Sequence, residues 1–240
     1  GIGPVNARYR HSTGARIGHH AFDAIEHVRL GEAVYQRIAD ALVRGELRPS
    51  ERLKIRDIAG EMGTSVTPVR DAILRLVQDG ALVQRSPRDI RVPVLKLDEY
   101  LEIRRIRLEL EGLAAEDAAR KATIDDIARL ASILADNERA FTEGHVEEAV
   151  ALNQVFHFAL AEVAGLGQLR AILHRLWLKI GPIISAAYER GGRAMIEHHP
   201  AVLDAIRRSD PAGARAAIQR DITCGSDVIL GADVIAFPSD

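Results

Sequence analysis

In the run Asn153-Gln154-Val155-Phe156-His157 an amide and an imidazole stand four residues apart. On a helix that spacing leaves only about 40° between their directions, so both side chains can point into one interior. Leu152, Val155, Phe156, Phe158, Ala159 and Leu160 make the surroundings apolar, which marks His157 as a buried histidine, either hydrogen-bonded in the core or serving as a ligand. Further on, His199 ends the triplet Glu197-His198-His199, and Asp221 lies on the last helical run. The spacings of these groups alone do not mark out a metal site. His198 is expected to face outward and His174 to lie near the cavity. Arg107 is a guanidinium on the inner face of a helix. In a low-dielectric interior it would hold a carboxylate or phosphate, unless it pairs with Glu111, four residues on. A second group of donors sits near the N-terminus: Arg56, Ser65, Val66, Thr67, Arg70, Arg85 and Arg88. Apart from Val66, these types suit phosphates and base edges.

The elements that must position these residues follow from the apolar period. Val34, Ile38, Ala41 and Leu42 predict a helix over 31–44, closed by Gly45 with Pro49 behind it. Ile55, Ile58, Ala59 and Met62 predict a short second helix stopped by Gly63. Ser65 then caps a third, which has Pro68 in its first turn and a stripe of Val69, Ile73, Leu74, Leu76 and Val77. Two β-prone pieces, Ala81–Gln84 and Ile90–Val94, flank a turn at Pro87. Three helices and a hairpin, with a tight glycine turn between the second and third, form a winged helix-turn-helix. In that arrangement the start and outer face of the third helix enter the major groove. Arg56 and the wing residues Arg85 and Arg88 then flank them on the backbone.

Beyond Leu97 six amphipathic helices are predicted: Tyr100–Lys121, Ile124–Phe141, Val146–Ala164, Leu169–Tyr188, Ala194–Arg208 and Pro211 to about Ile229. They make an antiparallel bundle large enough to enclose a cavity. The chain is thus mainly α, in four parts: a flexible arm (1–30), a winged helix-turn-helix (31–95), an all-helical bundle (96–232), and a tail (233–240).

Composition agrees. Aromatic residues make up 4% of the 240, which favours helices over sandwiches or barrels. No apolar run reaches the length of a membrane span, and no signal peptide is evident, so a cytoplasmic protein without membrane contacts is expected. The single cysteine, Cys224, has no partner for an internal disulfide and reads as a small buried hydrophobe. The net charge of −2 speaks against a nucleic-acid binder until the chain is divided. Residues 1–95 hold 15 basic and 11 acidic side chains, against 17 and 23 in the remainder.

Gly45-Glu46-Leu47-Arg48-Pro49-Ser50-Glu51-Arg52-Leu53, Ile58-Ala59-Gly60-Glu61-Met62-Gly63 and Thr67-Pro68-Val69-Arg70-Asp71-Ala72-Ile73-Leu74-Arg75-Leu76 resemble the DNA-binding head of the GntR family of bacterial transcriptional regulators. The resemblance implies a homodimer on a palindromic operator, with wings in the minor groove and DNA contacts from Arg56, Ser65, Val66, Thr67 and Arg70. Val66 stands where the family usually has a guanine-reading arginine. A valine makes no bidentate contact, worth roughly 1–3 kcal/mol of discrimination, so the operator should depart from the common half-site at that base pair. The wing has Ser86-Pro87-Arg88 where a glycine is frequent.

The remainder resembles the FCD domain of the FadR-type branch, through Glu102-Ile103-Arg104-Arg105-Ile106-Arg107-Leu108-Glu109-Leu110-Glu111-Gly112, Asn153 to His157, and His199-Pro200-Ala201-Val202-Leu203-Asp204-Ala205-Ile206. That resemblance implies a divalent metal held at Asn153, His157, His199 and Asp221, where the family's pattern is one Asp and three His. It also implies an effector carboxylate bound by Arg107 with Asn153, His157 and His199. The function expected is a dimeric, ligand-responsive repressor of a metabolic operon. The alternatives are a metal-dependent enzyme built on His157, His199 and Asp221, for which no general base or nucleophile is in view, and an adaptor that only dimerises.

Overall fold

The computed structural model describes residues 20–238. Helix α1 spans His20–Val43 and so begins well before Gly31. No glycine or proline interrupts residues 20–30, and Ala, Glu, Arg and Leu carry the helix back. The segment expected as a loose arm is therefore helical from His20, and residues 1–19 lie outside the described part.

The head continues with β1 (Arg52–Leu53), α2 (Ile55–Met62), α3 (Val66–Gln78), β2 (Val83–Ser86) and β3 (Asp89–Arg91). Gly63 turns α2 into α3 in the left-handed conformation, at φ 64°. The strands form one antiparallel sheet in the order β1-β3-β2, with Arg52 opposite Arg91 and Val83 also opposite Arg91. β1 was not foreseen, because two residues carry no alternation to read. The hairpin sits closer to its turn than predicted. Ala81 and Leu82 are drawn into the core instead, and their N–H groups donate to the Leu76 carbonyl at the end of α3.

The bundle comprises α4 (Leu97–Lys121), α5 (Ile124–Thr142), α6 (Val146–Val163), α7 (Gly167–Gly191), α8 (His199–Arg207) and α9 (Pro211–Gly231). The single helix expected over 194–208 is broken: a 3-10 turn, Gly192–Met195, precedes α8. Pro200 sits in the first turn of α8. Further back it would lack a donor and clash with the carbonyl four residues earlier, so the helix starts there. The C-terminal segment is also more ordered than a tail, since Ala236 bridges Lys96 and Ile235 is buried.

Head and bundle share one apolar core, in which Leu42 and Val43 of α1 lie with Trp177, Ile180 and Ile183 of α7. At their crossing a Cβ on Gly181 would stand 2.2 Å from the Leu42 carbonyl oxygen, so the backbones touch. Gly45, at φ 70°, turns the chain away beside Ser185. Arg48–Glu189 (2.6 Å) and Arg175–Asp79 (3.2 Å) add polar ties across the same junction. A second core of Ala114, Ala118, Phe156, Leu160, Val202 and Ile218 joins α4, α6, α8 and α9. Among the described residues no helix is long and apolar enough to cross a membrane.

Candidate functional site

The outer face of the head carries a concave groove where α2, α3, β1 and the wing meet. Arg56 of α2, Val66 and Arg70 of α3, and Pro87 and Arg88 of the wing all line it. Sequence reasoning had missed Arg52 and Lys54, which also line it; the edge strand that brings them there was not legible. Arg52 donates a 2.7 Å hydrogen bond to the Arg88 carbonyl, tying β1 to the wing tip. Ser65 and Thr67 are exposed at the start of α3, and Arg85 is exposed on β2. Ser65 holds the N-cap position of α3, but its hydroxyl makes no capping hydrogen bond. That hydroxyl remains available to another acceptor or donor. Val66 is half-buried against the core, consistent with its lack of any polar contact.

Among the described residues the side chains of Arg56, Arg70, Arg85 and Arg88 take part in no ion pair, whereas Arg48, Arg75, Arg120, Arg129, Arg193 and Arg215 elsewhere do. Four guanidiniums left unneutralised on one face, next to the exposed N–H groups of a helix start, favour a polyanion.

The second site is enclosed by the bundle. α4 supplies Arg107 and Glu111, α6 supplies Asn153 and His157, α8 opens with His199, and α9 supplies Asp221, all of them buried. His157, His199 and Asp221 each offer a donor atom within 4.8 Å of the others. His157 Nε2 is 3.3 Å from Asp221 Oδ2, and His199 Nε2 is 3.4 Å from Asp221 Oδ1. On the other side of the imidazole, His157 Nδ1 is 2.6 Å from Glu111 Oε1. Glu111 Oε2 accepts from Arg107 Nε at 2.6 Å. The pairing of Arg107 with Glu111 is thus the arrangement present. Glu111, read from the sequence only as an alternative partner for Arg107, also reaches His157. The Trp177 ring lies 5.0 Å from the Arg107 guanidinium carbon and 5.5 Å from the His157 ring, closing one side.

Burial works against a charged imidazole, but the Glu111 and Asp221 carboxylates outweigh it and push His157 up to about 9. Burial likewise opposes the Asp221 carboxylate, which His199 and His157 hold well below the usual range. Glu111 is lowered by Arg107 and His157 against the same desolvation.

The donor set suits a divalent cation. Both ring nitrogens of His199 and Oδ1 of Asp221 are buried without a hydrogen-bond partner, and orphaned polar atoms of this kind cost about 1–3 kcal/mol each. A cation shared by His157, His199 and Asp221 would engage an orphaned atom on both His199 and Asp221. Asn153 lines the same small cavity as Arg107, His157 and Asp221, and can add an amide oxygen. That cavity measures about 20 Å³, room for about one water.

Other expectations shift. His174 lies apart from this centre, half-buried against the Phe158 ring in a depression shared with Asp40 and Arg44 of α1. Cys224 is half-exposed on α9, not a core residue. His198 is partly exposed beside Glu197, at 3.5 Å.

The family model of bacterial regulatory proteins of the gntR family matches residues 30–92, and the FCD domain model matches 102–223. The HTH-type transcriptional regulator McbR of Escherichia coli is 32% identical over 195 residues, covering 80% of this chain and 88% of that protein. The chain belongs to the GntR family. This GntR-family protein is therefore a DNA-binding transcriptional regulator with an FCD effector domain, and not an enzyme. The Uxu operon regulator of Haemophilus influenzae is 27% identical over 211 residues, covering 80% of the chain and 77% of that protein. The solved structure of E. coli McbR/YncC superimposes with a TM-score of 0.78 at 29% identity, covering 84% of the chain and 97% of its counterpart. In the GntR-family regulator, the groove residues fall inside the first matched segment, and the buried centre from Arg107 to Asp221 falls inside the second.

Proposed function

We propose that this regulator acts in the cytoplasm as a homodimer and represses a metabolic operon, each head occupying one half of a palindromic operator. Arg56, Ser65, Val66, Thr67, Arg70, Arg85 and Arg88 meet the DNA. A small carboxylate or sugar acid enters the bundle at Arg107, Asn153, His157 and His199 and changes operator affinity. A divalent metal, Zn, Ni, Mn or Fe, is held by Asn153, His157, His199 and Asp221, where it supplies positive charge for the anionic effector.

The observation that carries the effector and metal reading is that buried polar atoms of His199 and Asp221 lack hydrogen-bond partners, and that Asp221 lines a water-sized cavity with Arg107, Asn153 and His157. A metabolite enters such a space only if the bundle opens, so it binds one arrangement of the helices better than the other. That differential affinity is what shifts a regulatory equilibrium. α7 faces the cavity through Ile184 and presses Gly181 against α1, so a displacement of α7 reaches the head directly.

A thermal-shift screen of carboxylic and sugar acids, with and without chelator, followed by mobility shifts on DNA from beside the gene, tests this. An acid that raises the midpoint only in metal-loaded protein and alters the DNA shift is the expected result. Stabilisation that survives full chelation would remove the metal from the effector site. If no acid changed DNA binding, the effector reading would fall.

A further inference from the structure

We propose that Glu111 is a positioning residue for the cation site, its single carboxylate fixing His157 with one oxygen while Arg107 holds the other. The inference rests on the metal reading above and assigns a role to a residue outside its ligand set.

Glu111 is fully buried, and its two oxygens are divided between two helices. Oε1 is 2.6 Å from His157 Nδ1 of α6, and Oε2 is 2.6 Å from Arg107 Nε of its own helix. A weaker contact of 3.4 Å joins Oε1 to Arg107 Nη2. Arg107 also lines the small cavity. A divalent cation would displace the proton from His157 Nε2, leaving Nδ1–H donated to Glu111 and the Nε2 lone pair directed toward Asp221 and His199. A histidine ligand whose other nitrogen donates to a carboxylate is oriented and made more basic, and loss of such a partner typically weakens metal affinity 10–100-fold. Trp177 packs near both the Arg107 guanidinium and the His157 ring.

The test uses the full chain, stripped with chelator and titrated calorimetrically with Zn2+ alone. Wild type should take up metal, and His199→Ala should lose it. Glu111→Gln should bind about 10–100-fold more weakly. Because Glu111→Gln leaves the Arg107 cation buried without its counter-ion, the double variant Arg107→Met/Glu111→Gln is measured beside it and should show the same weakening. The proton spectrum of the metal-loaded wild type should contain a strongly downfield imidazole N–H resonance from His157. That resonance should move upfield in both Glu111 variants, a change that a purely structural role would not produce. If wild type takes up no Zn2+, the metal reading itself falls. If wild type binds and the Glu111 variants bind equally well with the resonance unmoved, Glu111 has no positioning role and the metal reading stands.

Discussion

At the residue scale, the buried centre is a chain of charges: Arg107, Glu111, His157, Asp221, His199. Arg107 has the largest structural stake. Its guanidinium is held by Glu111 at 2.6 Å, with both side chains nearly inaccessible. Removing one partner of a buried pair strands the other, at a cost of about 3–5 kcal/mol. His157 remains to share the Glu111 carboxylate, so Arg107→Met should sit at the lower end, near ~3 kcal/mol, read from the urea midpoint at constant slope. Arg107→Met/Glu111→Gln should recover part of that loss, because no carboxylate is then left unpaired. A double variant less stable than Arg107→Met alone would show that the pair is not the source of the cost. His157 and Arg107 stood out in the sequence, an imidazole in an apolar run and an arginine on an inner helix face, whereas His199 and Asp221 were picked out only by the FCD resemblance, because their spacings carry no metal signature. The contact between Glu111 and His157 was not legible. It joins positions 46 apart on different helices, and periodicity carries no information on which faces of two helices meet.

At the scale of elements, α1 of the head and α7 of the bundle meet backbone to backbone. The contact depends on the absence of a side chain at Gly181, where an added Cβ would meet the Leu42 carbonyl oxygen at 2.2 Å and that of Val43 at 2.8 Å. Both are backbone atoms and cannot swing aside. Gly181→Ala should therefore destabilise the chain by about 1–3 kcal/mol, as overpacking does, even though alanine is the better helix former by about 1 kcal/mol. Calorimetry should show a lower midpoint; an unchanged or raised one would mean that the two helices are not held in contact. The same scale shows where sequence reading stopped. The helices of the bundle announced themselves by their stripes, but the break before α8 turns on Pro200 and the left-handed Gly192, local effects that an apolar stripe over 194–208 conceals. β1 escaped notice because its existence depends on β3, far along the chain.

The wing and the start of α3 line one groove, so the proposed DNA contacts can be tested on both. Arg70 and Arg88 line one groove from different elements and lack carboxylate partners among the described residues. If they contact phosphate, Arg88→Ala should weaken binding to all sequences by a similar factor and lower the magnitude of the salt slope by about 1. Arg70→Ala should do the same, unless its fork reads a guanine. In that case preference at one base pair is also relaxed, by roughly 1–3 kcal/mol. Mobility shifts over a salt series on operator and scrambled DNA distinguish the two roles.

At the scale of the whole molecule, a chain with net charge −2 binds a polyanion because its charge is unevenly placed. Among the described residues four guanidiniums of the head, Arg56, Arg70, Arg85 and Arg88, take part in no ion pair. Counterion release gives a slope of about −0.9 per neutralised phosphate, so two heads engaging together predict a plot of log affinity against log salt with a slope of about −7. A single half-site, which engages one head, should show about half of that and a much weaker affinity. In the proposed homodimer, the difference between the two would measure the effective concentration that pairing confers on the second head. Equal slopes on half-site and full palindrome would mean that only one head binds at a time. An effector that repositions the heads through α7 and α1 should then act chiefly on the full site: its addition should bring the full-site slope toward the half-site value and leave half-site binding unaffected. A loss of affinity of equal size on both DNAs would instead place the effector's action within a single head.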